Sequence, residues 1–302
     1  MDLTGLRVRP ATHADYDAVV AFTADTWADR GGSDYIPHVY HDWIDGADKE
    51  TLVADAGDEL AAIAQVVELS AHEAWCQGMR VNPAYRGEGV SVLVNDALFE
   101  WARDRGAVVA RNMVFSWNVR ALAASRAAGF GPGTEFRWAT PTPDAAAEPA
   151  LAVASDPDAA WRFWTDSEAR THLRGLALSM DESWALQELT REALHRAADE
   201  TAVFAVQDGG TRGMAFRVRD YEREDEDGEP RHWAEYGVGA WADTAAADAL
   251  FAAITRDAAA VGADRTRVLV PETPRHVTDA AFVRAGVSEE PDFVLSADLT
   301  AR

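Results

Sequence analysis

Apolar residues change their period several times along the first 140 positions, and each change marks an element. Leu6-Arg7-Val8-Arg9 alternates with period two and predicts a strand. Ala14–Trp27 places Tyr16, Val19, Val20, Thr23 and Trp27 on one side of a helix. Thr51–Ala54 and Ala61–Leu69 return to strand character around Gly57-Asp58, which predicts a hairpin. Glu73–Val81 reads as a further strand, Val90–Arg105 as a helix and Val108–Phe115 as a strand. A last helix, Asn118–Ala128, stops at Gly129, because glycine accepts the left-handed backbone that ends a helix. Strands alternating with helices predict an α/β fold whose mixed sheet is flanked by helices.

The same order recurs after Pro141–Pro149, "PTPDAAAEP", a stretch rich in proline and alanine with no apolar period. Trp233–Val238 and Thr266–Val270 read as strands, Ala245–Val261 and His276–Ala285 as helices. "DALF" occurs at Asp96–Phe99 and Asp248–Phe251, an offset of 248 − 96 = 152. "AGF" at Ala128–Phe130 is echoed by "AGV" at Ala285–Val287, an offset of 285 − 128 = 157. Matching order at nearly matching offset predicts an internal duplication: domains at 1–140 and 151–302, joined by a linker at 141–150.

Composition agrees with two soluble domains. The chain has 302 residues, 48% of them hydrophobic, enough for two cores. No apolar run reaches the roughly 18 residues of a membrane span, and Met1–Pro10 does not read as a signal peptide. Cys76 is the single cysteine, which excludes an internal disulfide and fits a reducing cytoplasm. Charge changes the picture more. The 51 acidic residues outnumber the 28 basic ones, and Lys49 is the only lysine. Such a surface repels nucleic acid, whose binding relies on cations meeting phosphates. It also suits a salty cytosol, since near 1 M salt the Debye length falls to about 3 Å. The spread of acids along the whole chain favours this second, halophilic reading. Glu222–Glu229, "EREDEDGE", is read as a solvated hairpin loop rather than a metal site.

Against that background, "NPAYRGEGV" at Asn82–Val90 carries the candidate chemistry. Gly87 and Gly89 stand directly before a helix, where glycine permits positive φ and close approach of backbone to a ligand. N–H groups converging at the positive end of a helix form an anion site, and Arg86 adds a charged donor. A tight turn with capping glycines accounts for the same residues. Neither a P-loop nor a Gly-x-Gly-x-x-Gly turn is present.

Strand, loop and helix together resemble the acetyl-coenzyme A loop of the GNAT N-acetyltransferase superfamily, with its Gln/Arg-x-x-Gly-x-Gly/Ala pattern. Arg86, Gly89 and Ser91 occupy the three positions, Ser91 replacing a small apolar residue. "LRVRPATHADYDAV" is similar to the family's first strand and helix, and "WNVRALAASRAAGF" to its closing Asn-x-x-Ala…Gly-Phe segment. The resemblance spans Leu6 to Trp138 and implies acetyl-coenzyme A as cosubstrate, without a metal. It implies that Met79, Arg80 and Val81 bind the pantetheine arm through backbone. Arg86, Gly87, Glu88, Gly89, Val90 and Ser91 would meet the phosphates, and Asn118 would also contact the cofactor. The expected reaction is direct attack of an amine on the thioester, needing a base, an oxyanion donor near Val81 and an acid for the thiolate. Ser125 stands where the family places a tyrosine acid, so it would act through water or the thiolate would leave unassisted. Glu73 is the candidate base, with Glu68 as alternative or Glu73 as a plain strand-end acid. Positions 73, 75, 77, 79 and 81 share one parity, which predicts one face for Glu73, Gln77 and Val81. Cys76, with no histidine nearby in sequence, reads as a small buried hydrophobe rather than a nucleophile.

Asp34–Ile44, "DYIPHVYHDWI", falls where this family builds its acceptor wall, and is similar to a Tyr-x-Pro…His-x-Trp segment of the histidine N-acetyltransferase branch. That makes Tyr35, His38, Tyr40 and Trp43 candidate lining residues and an amino-acid α-amine a candidate acceptor, while core packing explains the same aromatics. His38, His41 and Asp42 are read as lining or helix surface, not as metal ligands. Carrying 152 onto Arg86–Ser91 gives Val238–Asp243, "VGAWAD", with no arginine and with Trp241 in the loop, so the second domain is expected to be GNAT-like without a phosphate loop. The expected protein is a monomeric or homodimeric cytoplasmic N-acetyltransferase of a small amine, with no nucleic-acid or membrane partner. The alternatives are a non-catalytic acyl-coenzyme A-binding module and an acetyltransferase of protein amino termini.

Overall fold

The computed structural model describes residues 5–27, 34–224 and 228–300. In chain order the elements are β1 (Arg7–Pro10), α1 (Tyr16–Thr23), α2 (Ile36–Ile44), β2 (Lys49–Asp55), β3 (Leu60–Ser70), β4 (Glu73–Val81), α3 (Val90–Asp104), β5 (Val109–Phe115), α4 (Val119–Ala127) and β6 (Gly131–Thr140). There follow β7 (Ala152–Ala154), α5 (Pro157–Asp166), α6 (Glu168–His172), β8 (Leu176–Leu178), β9 (Leu186–Glu188), α7 (Arg191–Glu200), β10 (Ala202–Gln207), β11 (Thr211–Glu224) and β12 (Pro230–Trp241). The chain closes with α8 (Thr244–Ala260), β13 (Arg265–Pro271), α9 (Pro274–Phe282), β14 (Gly286–Val287) and β15 (Asp292–Asp298). The acidic run at Glu222–Glu229 falls partly outside the described residues, as does Met1–Pro10.

Two compact units emerge. The first comprises residues 1–114, 118–132 and 294–302, the second residues 115–117 and 133–293. In the first unit the strand order is β1-β2-β3-β4-β5-β15. Antiparallel pairing links β1 through β4, whereas β4 and β5 run parallel because α3 crosses between them. Both faces of this sheet are covered, so β3 reads as a continuous apolar run rather than an alternation. Ala62, Ala64 and Val66 pack with Leu98, Phe99 and Ala102 of α3 on one face. Ile63 and Val53 pack with Val19 of α1 and with Ile36, Tyr40 and Trp43 of α2 on the other. Leu295, Ala297 and Leu299 complete the α3-side core, and Leu299 N–H donates to Val108 at 2.9 Å. Fully burying a side chain of leucine or phenylalanine size contributes about 1.5–3 kcal/mol.

The second unit repeats the plan with order β6-β13-β12-β11-β10-β7 and β14 on β6. Here too one pair is parallel, β12 with β13, and α8 is buried along Ala246, Ala247, Leu250, Phe251 and Ile254. Residues 141–149 have neither helix nor strand and lie within this unit, where Asp144 N–H donates to Thr255 at 3.0 Å.

Candidate active site

The site begins where two strands part. β4 and β5 pair only at Glu73↔Val109, Ala74↔Ala110 and Trp75↔Arg111. Beyond Trp75, the β5-side edge of β4 from Cys76 to Val81 has no strand partner among the described residues. On its other edge β4 carries a bulge: Gln65↔Gln77 and Ile63↔Arg80 leave Gly78 and Met79 together opposite Ala64. Gly78 adopts φ +65°, and a Cβ there would land on the Trp43 ring, 2.6 Å from Cζ3. Glycine is therefore required twice, for backbone conformation and for room. The bulge also corrects the parity expected from the sequence. One extra residue flips the strand, so Met79 and Val81 join Cys76 and Ala74 on the α3 side, away from Gln77 and Glu73.

The segment after β4 is tied down before it reaches the glycines. Asn82 N–H donates to Ala61, its Nδ2 donates to Leu60 at 3.0 Å, and its Oδ1 accepts from Ala84 N–H. Tyr85 Oη donates to Glu59 at 2.9 Å. Arg86 is exposed, with Nε donating to the Val81 carbonyl at 3.2 Å. Gly87 and Gly89 hold φ +83° and +85°, and a Cβ on Gly87 would meet nothing, so conformation alone demands the glycine there. Gly89 caps α3 without a side chain to offer. The first N–H groups of α3, at Val90 and Ser91, have no acceptor within the helix and stand at its positive end. An open strand edge thus runs into an uncapped helix N-terminus flanked by Arg86, which suits an extended ligand ending in phosphates.

Of the other residues singled out from the sequence, several lie away from this open edge. Glu73 is 2% exposed at the paired end of β4; Arg111 donates to its carboxylate and Ser70 Oγ donates at 3.0 Å. Arg80 turns its guanidinium to Asp34, Nε to Oδ2 at 2.6 Å, and lies over the rings of Trp27 and Tyr35. Asp34 Oδ1 accepts from Ile36 N–H, so this pair fixes the start of α2 against β4. Tyr40 is wholly buried, its hydroxyl donating to Thr12 at 2.8 Å, and burial pushes its pKa well above the usual phenol value. Tyr35 is 44% exposed and His38 is exposed, whereas Trp43 lies against Gly78. His41 turns to His13, Nδ1 to Nδ1 at 2.9 Å. Gln77 donates to Gln65, Gln65 to Thr51 and to the Trp43 carbonyl, a buried polar chain that pins Trp43 to three strands. Asn118 caps α4, its Oδ1 accepting from Ala121 N–H at 3.0 Å. Burial pushes the Cys76 thiol up to about 12, so it is not a thiolate at neutral pH. Ser125 accepts from Asn112 Nδ2 at 3.1 Å, a partner the sequence reading missed. An Asn inside the apolar strand Val109–Phe115 was its only signal.

The second unit lacks this arrangement for a specific reason. Seven residues separate β4 from the cap of α3, whereas Ala242 alone separates β12 from the cap of α8. Strand ends differ by 241 − 81 = 160 and helix caps by 243 − 89 = 154, so the constant offset of 152 misplaced the loop. Its cap is Asp243, whose Oδ1 accepts from Ala246 N–H at 2.9 Å and whose carboxylate pairs with Arg212. A carboxylate thus satisfies the helix end that an anion would use. Trp241 lies in the core instead of the loop, beside Phe251 and His276, with Nε1 donating to Asp279.

Comparison with known proteins bears on this geometry. The acetyltransferase (GNAT) family model matches residues 17–130. Histidine N-acetyltransferases of Oreochromis niloticus and Scomber australasicus are each 31% identical over 88 residues, 29% of this chain and 25% of theirs. The chain thus spans about a quarter of the length of these curated relatives. A GCN5-related N-acetyltransferase structure from Sphaerobacter thermophilus is similar over 98% of this chain and 96% of that one, with a TM-score of 0.62 and 17% identity, a likeness of fold. The match to the GNAT acetyltransferase family model is confined to residues 17–130 of the 302, and over the whole chain the likeness is one of fold.

Proposed function

We propose that the first unit transfers an acetyl group from acetyl-coenzyme A to a primary amine of a small molecule, with an amino-acid α-amine as the leading acceptor. One observation carries this reading: the open edge of β4 ends at an uncapped helix whose entry needs two left-handed glycines and an exposed arginine. Acetyl-coenzyme A supplies the activated thioester. Its extended arm suits the edge from Cys76 to Val81, and its phosphates suit Arg86 and the N–H groups from Gly87 to Ser91, with Asn118 alongside. A backbone N–H near Val81 stabilises negative charge on the acetyl oxygen.

Acceptor recognition rests on the α2 side of the bulge. Trp43 and Tyr35, their rings 5.9 Å apart, offer an aromatic wall, and His38 is the neighbouring exposed polar group. Glu73 takes the proton released by the amine. It lies five residues before Gly78, about 16 Å along a strand, and Arg111 and Ser70 fix its carboxylate, so the proton is relayed rather than passed directly. The second unit is read as a GNAT-like copy that kept the fold without the phosphate loop. The similarity to histidine N-acetyltransferases supports the acceptor class.

The test is a panel of amines and amino acids incubated with acetyl-coenzyme A at high KCl, read by thiol release. Turnover with an amino acid, lost in Arg86→Ala through a raised KM for the donor, is expected. Silence across the panel with intact donor binding would favour an acyl-coenzyme A-binding module instead.

A further inference from the structure

Asn112 is the first residue of β5 beyond its last pair with β4, so it stands opposite Cys76 where the strands part. Ala110 and Val114, two positions to either side, belong to the α3-side core, and Asn112 shares their face. A polar residue there is costly unless used. Its Nδ2 donates to Ser125 Oγ, while its Oδ1 is buried without a hydrogen-bond partner among the described residues. A buried acceptor left unpaired in this way is destabilising, a cost that a ligand N–H removes. Ser125 sits within α4 and is 8% exposed. A serine inside a helix commonly donates to the carbonyl four residues back, but among the described residues Asn112 is the partner of this one. With an N–H already directed at Oγ, the hydroxyl hydrogen remains to be donated elsewhere.

We infer that Asn112 is a positioning residue: it turns the Ser125 hydroxyl toward the sulfur that leaves during acetyl transfer, so that Ser125 stabilises the thiolate by hydrogen bonding. This rests on the function proposed above. In the step itself the amine lone pair forms a C–N bond to the acetyl carbon, the C–S bond breaks with its electron pair passing to sulfur, and the ammonium proton leaves toward Glu73. A serine hydroxyl is a far weaker acid than a thiol of pKa about 8.5, so its proton does not cross to sulfur. The O–H instead donates a hydrogen bond as negative charge develops. Serine in place of a tyrosine acid is thus a change from proton donor to hydrogen-bond donor.

Four variants test this: Ser125→Ala, Ser125→Thr, Asn112→Asp and the double variant Asn112→Asp/Ser125→Ala. In Asn112→Asp the new carboxylate would accept the serine proton and turn the hydroxyl away while keeping the shape of the side chain. Ser125→Ala and Asn112→Asp should each lower kcat about 10- to 100-fold with KM for acetyl-coenzyme A within about threefold. Ser125→Thr should retain wild-type kcat within about threefold, and the double variant should fall no lower than Ser125→Ala. Independently of turnover, the ultraviolet thiolate absorbance of bound coenzyme A, titrated with pH, should show about tenfold tighter proton binding in both single variants than in wild type. Wild-type kcat and thiolate titration in Asn112→Asp and Ser125→Ala, or losses that multiply in the double variant, would overturn the inference. A wild type that binds coenzyme A but acetylates no amine would sink the proposed function alone, since the thiol titration still reads the Asn112–Ser125 pair. Coenzyme A that does not bind would sink both.

Discussion

Substituting Gly78 by alanine separates two costs that glycine avoids at the bulge. Gly78 and Gly87 both hold left-handed backbone, φ +65° and +83°. An alanine in that region costs about 1–2 kcal/mol, and at Gly87 nothing else opposes it, because the added Cβ meets open space. At Gly78 the same Cβ falls on the indole of Trp43, which is 7% exposed and held by the Gln65–Thr51 chain through its carbonyl. The ring is packed in a core with Ile36, Tyr40 and Ile63 and has little room to yield, so overpacking adds about 1–3 kcal/mol. Gly78→Ala should therefore destabilise by about 2–5 kcal/mol and Gly87→Ala by about 1–2, measured by urea unfolding at fixed KCl with far-ultraviolet circular dichroism. The function should divide in the opposite sense. Gly87→Ala raises KM for the donor, whereas Gly78→Ala raises KM for the acceptor by displacing Trp43. Equal stability losses at the two positions would refute the assignment of Trp43 to the bulge.

Three further outcomes follow from particular contacts. Tyr40→Phe removes a buried hydrogen bond to Thr12 and should cost about 1 kcal/mol with acceptor KM unchanged, whereas Tyr35→Ala should raise acceptor KM several-fold; the reverse pattern in steady-state kinetics would exchange their roles. Asp243→Ala should cost about 1 kcal/mol of cap stability in thermal unfolding without creating a coenzyme A site, since one residue cannot replace the seven-residue loop. Burial raises Asp292 to about 6, above the usual 3.8, despite the bond from Trp138 Nε1 at 3.1 Å. Its contribution to stability is therefore fully present below about pH 4 and lost as pH rises through about 6, and Asp292→Asn should flatten that part of the stability–pH profile.

The first unit was largely legible from its sequence, and the exceptions share a cause. Glu73–Val81 and Val90–Asp104 emerged within a residue of their observed ends because period changes and glycines mark them locally. What escaped depends on partners distant in sequence. Gly78 shows only as a glycine in a strand, and its bulge becomes visible when Ala64 is seen facing two residues. Nothing in Val294–Asp298 marks that strand for the first unit, because alternation specifies a face and not a neighbour. Tyr40 looked like a lining residue until its hydroxyl found the Thr12 carbonyl. The cap at Asp243 was hidden by an offset that changes across the shortened loop. Asn112 could not be singled out without knowing where β4 and β5 stop pairing.

The central claim, that one of the two units holds the donor at the N-terminus of α3, is tested most directly by calorimetric titration of acetyl-coenzyme A at high KCl. Wild-type protein should bind one equivalent per chain, and Gly89→Asp, which places a carboxylate at the cap as Asp243 does in the second unit, should abolish the heat. Two equivalents per chain, or one equivalent that survives Gly89→Asp, would contradict it.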